Sequence, residues 1–222
     1  PETGKPMLDV IVDAAGQKGT GRWTVIEAQH LAAPIPAIDA AVVARNLSSQ
    51  RANRTHGQDL FGAAPQPIDG ISLDDLEGAL IAGKIICYAQ GFEMIRNASD
   101  QFDWALPLPD IARVWREGCI IRSKMLNDMA EALTDDADRN LMFAPFFADL
   151  LKTHHDALRR VVAAAAIAGV AMPALASGLA YFDAMRTARG TANMIQGQRD
   201  FFGAHGFERF DGRHGQDGPW GA

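Results

Sequence analysis

Gln17-Lys18-Gly19-Thr20-Gly21-Arg22-Trp23-Thr24 is the stretch on which the reading of this chain turns. Two glycines flank a threonine, with Lys18 and Arg22 outside them. Glycine permits a left-handed backbone and lets a ligand come close to main-chain N–H groups. Thr24-Val25-Ile26-Glu27 has the form of a capping box, which predicts Thr24 as N-cap and a helix from Val25 to about Leu31. A cationic loop that runs into a helix N-terminus can hold an anion, because unpaired first-turn N–H groups and the helix dipole both face it. The same residues also fit a flexible helix connector. They lack the G-x-x-x-x-G-K-[ST] spacing of a phosphate loop, and no strand-like run precedes them as a dinucleotide fingerprint requires.

Working outward, the pattern stays helical. Residues 1–16 carry Met7, Leu8, Val10, Ile11, Val12 and Ala15, a spacing that predicts a short helix ending at Gly16. Pro34 and Pro36 stop the helix after the glycine loop, and a further helix is predicted from Ala37 to Arg54, with Arg45 inside it. Residues 55–71 read as a Gly-, Pro- and Gln-rich loop. Ser72-Leu73-Asp74-Asp75 opens a long, mostly apolar helix predicted over 73–99, with acids in its first turn. Pro107 and Pro109 mark a connector, Asp110 caps a helix from Ile111 to about Leu133, and residues 134–138 form an acidic turn. Helices are predicted over 139–151 and 152–168.

The run Val161–Ala180 is nearly free of charge, but Gly169 and Pro173 divide it into two Ala-rich helices, a better reading than a membrane span. The last predicted helix covers Ala192 to Phe202 and stops at Gly203. No alternating strand pattern of useful length appears. The expectation is an all-α fold, with one large multi-helix domain over residues 1–205 and an extended, Gly-rich tail over residues 206–222.

The chain has 222 residues and a net charge of −6. An acidic chain offers no general field for a nucleic-acid backbone, so no nucleic-acid partner is expected and anion binding must come from a few converging cations. The cysteines, Cys87 and Cys119, lie in apolar helical patterns, which predicts reduced, buried thiols in a cytoplasmic protein and no disulfide. Glu27-x-x-His30 has carboxylate–histidine spacing, but one copy makes no di-iron site, and His154-His155 point apart on a helix. No metal is expected. The chain begins at Pro1 and reads as a fragment without a leader.

Five separated runs carry a resemblance that covers nearly the whole chain: G-Q-K-G-T-G-R-W-T at 16–24, A-x-V-A-R-x-L-S-S at 41–49, K-I-I-C-Y-A-Q-G-F at 84–92, W-R-E-G-C-I-I-R-S at 115–123, and N-M-I-Q-G-Q-R-D-F-F-G-A-H at 193–205. Together, in this order, they resemble the helical C-terminal domain of the 6-phosphogluconate dehydrogenases. The resemblance implies a cytoplasmic enzyme of gluconate utilisation and the pentose phosphate pathway. Such an enzyme oxidatively decarboxylates 6-phosphogluconate to ribulose 5-phosphate with NADP and works as a homodimer. Lys18 and Thr20 match loop groups that hold the substrate phosphate, and Arg45 matches a helical arginine that contacts it. Arg199 and His205 match a pair donated to the other subunit's site.

On the residues alone, other roles stay open. Arg45 fits an exposed helix arginine, Lys18 a solvated loop lysine, and Arg199 a surface pair with Asp200. His205 would leave the Arg199 face on a continuous helix, and the two converge only if the chain turns at Gly203. Trp115, Cys119 and Ile121 read as helix packing, with a substrate contact near Ile121 a weaker alternative. The resemblance further implies that the dinucleotide-binding (Rossmann) half, the catalytic lysine, the general acid and a substrate tyrosine precede Pro1. No catalytic residue is then expected here, and NADP would be bound mainly outside this stretch. The ending departs from the family's at Gly212-Arg213-His214-Gly215-Gln216-Asp217, keeping only Trp220 as an aromatic near the end. The alternative to a substrate-binding domain is a stand-alone helical dimerisation module without small-molecule function.

Overall fold

The computed structural model describes residues 3–62, 65–215 and 217–220. Among them the regular structure is helical: α1 Thr20–His30, α2 Pro36–Ser48, α3 Arg51–Phe61, α4 Leu73–Gln101, α5 Leu108–Gly118, α6 Met125–Asp135, α7 Pro145–Ile167, α8 Pro173–Met185 and α9 Ala192–Gly203. The all-α expectation holds. The chain forms two compact units, Pro1–Tyr181 and Phe182–Ala222.

The first unit is built on α4. Ser72 caps it: Asp75 N–H donates to Ser72 Oγ (3.0 Å), and Asp75 Oδ2 accepts from Ser72 N–H (3.1 Å), which satisfies orphan donors reciprocally. Arg160 of α7 donates Nε and Nη2 to Asp75 Oδ1 at 2.9 and 2.6 Å, tying the two helices at that end. This guanidinium, with the Ser72 bonds, holds the Asp75 carboxyl down at about 2. Phe92, Ile85 and Ile86 of α4, Leu126 and Met129 of α6, and Phe147 and Leu158 of α7 are fully buried. Close approach of α4 and α7 needs a glycine: a Cβ on Gly78 would lie 2.9 Å from the Ala157 Cβ and 3.1 Å from His154 Nδ1. Gln90, buried in the middle of α4, accepts from Ala37 N–H at 3.0 Å and so serves a donor that the first turn of α2 leaves unpaired. A polar knot links α4 and α8, where Glu93 accepts from Asn140 Nδ2 and from the Tyr181 hydroxyl (3.0 Å). Burial, then the Glu93 charge, pushes the Tyr181 phenol far up.

Several predicted boundaries move. The segment before Gly16 is a single exposed 3-10 turn, Met7–Val10, because its apolar residues find no surface to cover. The helix predicted from Ala37 to Arg54 divides at Ser49-Gln50: the Ser48 and Ser49 hydroxyls donate to the Arg45 and Asn46 carbonyls (both 2.7 Å), local bonds that compete with the helix ladder. α3 then runs on to Phe61, into what reads as loop; Ala63 and Ala64 of that loop lie outside the described residues. The helix predicted over 111–133 is two, α5 and α6, because the backbone turns extended at Cys119. Asp110 is not its cap but lies in the first turn of α5, paired with Arg113 at 2.6 Å. The two helices predicted over 139–151 and 152–168 are instead a 3-10 turn, Leu141–Phe143, capped by Asn140, and the unbroken α7. The thiols also differ from expectation: Cys87 is exposed and Cys119 half-buried, both unbridged.

The break after α7 is as read, with Gly169 left-handed (φ +72°) and Pro173 opening α8. No helix among the described residues is long and apolar enough to cross a membrane.

The second unit holds the end of α8 from Phe182, helix α9 and the tail. α9 ends at Gly203, as the pattern predicts, and the described tail residues are irregular. Gln216 and Gly221 of the tail lie outside the described residues.

Candidate functional site

The glycine loop does enter a helix, but five residues earlier than the capping-box reading has it. Gly19 is the N-cap, at φ +112°, a conformation costly for any residue with a Cβ. The left-handed cap lets α1 start at Thr20, and the ladder begins with Trp23 N–H donating to the Gly19 carbonyl at 2.9 Å. Thr24 therefore sits in the second turn, its hydroxyl donating back to the Thr20 carbonyl (2.9 Å). Glu27 faces His30 at 3.7 Å in place of a cap. No side chain caps α1, so the N–H groups of Thr20, Gly21 and Arg22 present an open first turn. Lys18 and Thr20 are exposed beside it. Gly21 has a different job from Gly19. It lies within α1, and a Cβ there would approach the Val42 Cγ2 to 3.0 Å, so it permits the crossing of α1 and α2.

The approach to this turn is strapped down from α2 and α3. Ala15 N–H donates to Ser48 Oγ at 2.8 Å, Gln17 Nε2 to the Asn46 amide oxygen, and Arg45 Nη2 to the Gly16 carbonyl. Arg54 binds the Asp13 carboxylate, the Asp13 carbonyl (3.1 Å) and the Ser48 carbonyl (2.9 Å). Arg45 is thus an exposed helix arginine that fixes the backbone two residues before Lys18. The structure gathers Lys18, Thr20 and Arg45 around one helix start.

In the second unit, Arg199 and His205 are both exposed. Arg199 does not pair with Asp200; its Nη1 donates to Gln196 Oε1 at 2.9 Å. The chain reverses not at Gly203, which is still helical, but at Ala204, which takes a left-handed conformation (φ 49°, ψ 46°). The turn lays the His205 ring back over Gly203, where a Cβ would come within 2.8 Å of the ring Nε2. Gly203 follows Arg199 by four residues, so the histidine returns to the arginine's face of α9. Asp200, on the other side, is buried. It accepts from Gly206 N–H (2.8 Å) with one oxygen, and from Gly218 N–H (2.7 Å) and the Trp220 indole (2.5 Å) with the other. These bonds, that of Gly218 foremost, lower its pKa. The Trp220 ring stands perpendicular to Phe201 at 6.3 Å.

One feature escapes the sequence pattern altogether. An apolar hollow of about 730 Å³ opens along α4, lined by Tyr88 and Met94 of that helix with Thr24, Trp115 and Ile121 among others. Trp115 packs on Phe92 (5.2 Å between rings) and the Tyr88 hydroxyl donates to the Ile121 carbonyl, so the W-R-E-G-C-I-I-R-S run does serve packing. Only the pairing of distant helices makes the hollow, and no local signal marks it.

Residues 1–220 match the family described as 6-phosphogluconate dehydrogenase, C-terminal domain. The chain belongs to the 6-phosphogluconate dehydrogenase C-terminal domain family. Among curated relatives, 6-phosphogluconate dehydrogenase, decarboxylating 2 of Saccharomyces cerevisiae is 45% identical over 210 residues, covering 92% of this chain and 43% of the relative. The NAD(+)-dependent decarboxylating enzyme of Bacillus subtilis is 40% identical over 215 residues, covering 95% and 46%. A solved 6-phosphogluconate dehydrogenase of Plasmodium falciparum, described in apo form and in complexes with NADP+ and with 6-phosphogluconate, superposes with a TM-score of 0.92 at 35% identity, covering 99% of this chain and 48% of that one. The chain therefore spans less than half the length of these relatives. Its described residues contain no strand leading into a Gly-rich loop, the form a Rossmann dinucleotide site takes. No group of three or more His, Cys, Asp or Glu side chains among them could hold a metal.

Proposed function

We propose that this chain is the substrate-holding and dimer-forming part of an NADP-linked dehydrogenase that decarboxylates 6-phosphogluconate to ribulose 5-phosphate. The observation that carries the reading is the open first turn of α1, set between Lys18 and the Thr20 hydroxyl and fixed by Arg45. A phosphate dianion suits such a place: backbone N–H groups and the helix dipole supply donors without side-chain entropy, and a lysine and a guanidinium supply charge. One Arg45 nitrogen holds Gly16, and the rest of the fork is left for an anion. Arg199 and His205, on one face of α9, would complete the site of a second copy. An exposed apolar stripe at Leu73, Leu76 and Leu80 supports such an assembly, since it follows helical spacing and is 82%, 42% and 62% exposed. The residues for hydride and proton transfer are assigned to sequence outside this chain, and the protein is placed in the cytoplasm.

Mixing subunits of the complete enzyme tests the reading. Lys18→Ala and Arg199→Ala homodimers should each show a Michaelis constant for 6-phosphogluconate raised about tenfold or more, the effect of a lost charge-assisted hydrogen bond. Heterodimers of the two variants should regain one intact site. If Arg199→Ala leaves the constants unchanged, or if mixing restores nothing, the shared site is refuted. The stand-alone dimerisation module predicts no melting shift with 6-phosphogluconate at any concentration.

A further inference from the structure

Among the described residues of the second unit, Asp200 is the one buried carboxylate, and the phosphate-site reading gives it no role. It lies between the two groups that reading uses, following Arg199 directly and bonding the residue after His205. Three donors converge on it, two of them backbone N–H groups of glycines, and they come from two places in the chain, the Ala204–Gly206 turn and the Gly218–Trp220 end of the tail. The turn it holds is strained at Ala204, whose left-handed backbone (φ 49°) is costly for a residue with a Cβ and persists only where the surroundings fix it. The Ala204 N–H also returns to the Asp200 carbonyl at 2.8 Å, so main chain and side chain of one residue set both ends of the reversal. The reversal is what carries the His205 ring back over Gly203 to the Arg199 face.

We propose that Asp200 is a positioning residue: its buried carboxylate pins the 204–206 turn and the tail to α9, and thereby holds His205 beside Arg199 for the substrate phosphate. The substrate half of this inference rests on the function proposed above, whereas the placement of His205 stands without it. Asparagine is a demanding replacement. It keeps the shape, but one of its two acceptor atoms becomes an NH₂ that faces N–H donors.

The test uses the labelled 222-residue chain, with and without Asp200→Asn, and two readouts. The first is nuclear magnetic resonance: a ring-to-Gly203 Hα contact for His205, and the Trp220 indole N–H signal. The second is the affinity for 6-phosphogluconate by titration calorimetry. Asp200→Asn should abolish the His205–Gly203 contact and shift the Trp220 indole, leaving the Trp104 and Trp115 signals in place. It should weaken binding by about tenfold or more, as expected when a charge-assisted bond is lost. His205→Ala should weaken binding equally, and the double variant no further, because both changes remove one placed group.

A retained His205–Gly203 contact in Asp200→Asn overturns the proposal, as does a double variant whose losses add. If Asp200→Asn disorders α9, Trp220→Phe decides: it removes a single donor, and affinity must fall by about threefold, a weak hydrogen bond's worth, or the proposal is overturned. Absence of 6-phosphogluconate binding by the unsubstituted chain would instead count against the phosphate reading, with the His205–Gly203 contact still deciding placement.

Discussion

Replacing Gly78 by alanine tests how the core of the first unit is assembled. The added Cβ would sit 2.9 Å from the Ala157 Cβ and 3.1 Å from His154 Nδ1. Carbon atoms pack best at about 3.5–4.0 Å, so the methyl pair is too close by at least half an ångström. His154 can rotate away, but the Ala157 methyl has no torsion to turn, so α4 and α7 must separate. Overpacking of this kind costs about 1–3 kcal/mol. Alanine's better helix propensity returns about 1 kcal/mol, which leaves a net loss of about 1 kcal/mol. In a chain of this size that is a melting temperature lower by about 2–4 °C. Urea unfolding followed by tryptophan fluorescence reads the change, because Trp115 reports on Phe92 of α4. Adding Ala157→Gly moves the methyl from α7 to α4 and should restore part of the loss, a coupling visible only if the two sites touch. A Gly78→Ala chain as stable as the unsubstituted one would refute the close crossing.

Two further outcomes follow from charged contacts. Asp75, held at about 2 by Arg160 and Ser72, titrates below the ordinary carboxylate value of about 3.9. A depressed acid adds stability that is complete above the unfolded value and lost as pH falls through the folded one. Melting temperature should therefore drop more steeply between about pH 4 and pH 2 in the unsubstituted chain than in Asp75→Asn, and equal slopes would remove the Arg160 link. Arg54→Ala should free the strap over residues 13–17 and speed tryptic cleavage after Lys18 by about two- to fivefold, the scale of an exposed ion pair. An unchanged cleavage rate would show that the strap is held by Arg45, Ser48 and Asn46 without it.

How far the sequence discloses all this depends on how local the deciding bond is. The start of α4 is legible because Ser72 and Asp75 satisfy each other within one turn. The division at Gly169 is legible because glycine and proline carry their own backbone preferences. The division of α2 from α3 is not, since serines are tolerated in helices and only their bonds to the Arg45 and Asn46 carbonyls reveal the break. α7 runs through a predicted boundary for the complementary reason: one face of it is buried against α4 over several turns, and packing outweighs a weak local signal.

The site divides in the same way. The glycine loop predicts a helix start beside Lys18 and Thr20, but puts its cap at Thr24, because a capping box is a visible pattern and the left-handed cap at Gly19 is not. Two glycines two residues apart look like one loop device. In the folded chain Gly19 sets a backbone angle and Gly21 clears space for Val42. Arg45 and Asp200 show the stronger limit. Arg45 is exposed and Asp200 buried, yet each bonds backbone groups that sequence distance hides: the Gly16 carbonyl in one case, the Gly206 and Gly218 N–H groups in the other. The cations and hydroxyl proposed to face an anion can be read from residue type. What aims them is main chain bonded to a distant side chain, and that becomes visible only once the helices are packed.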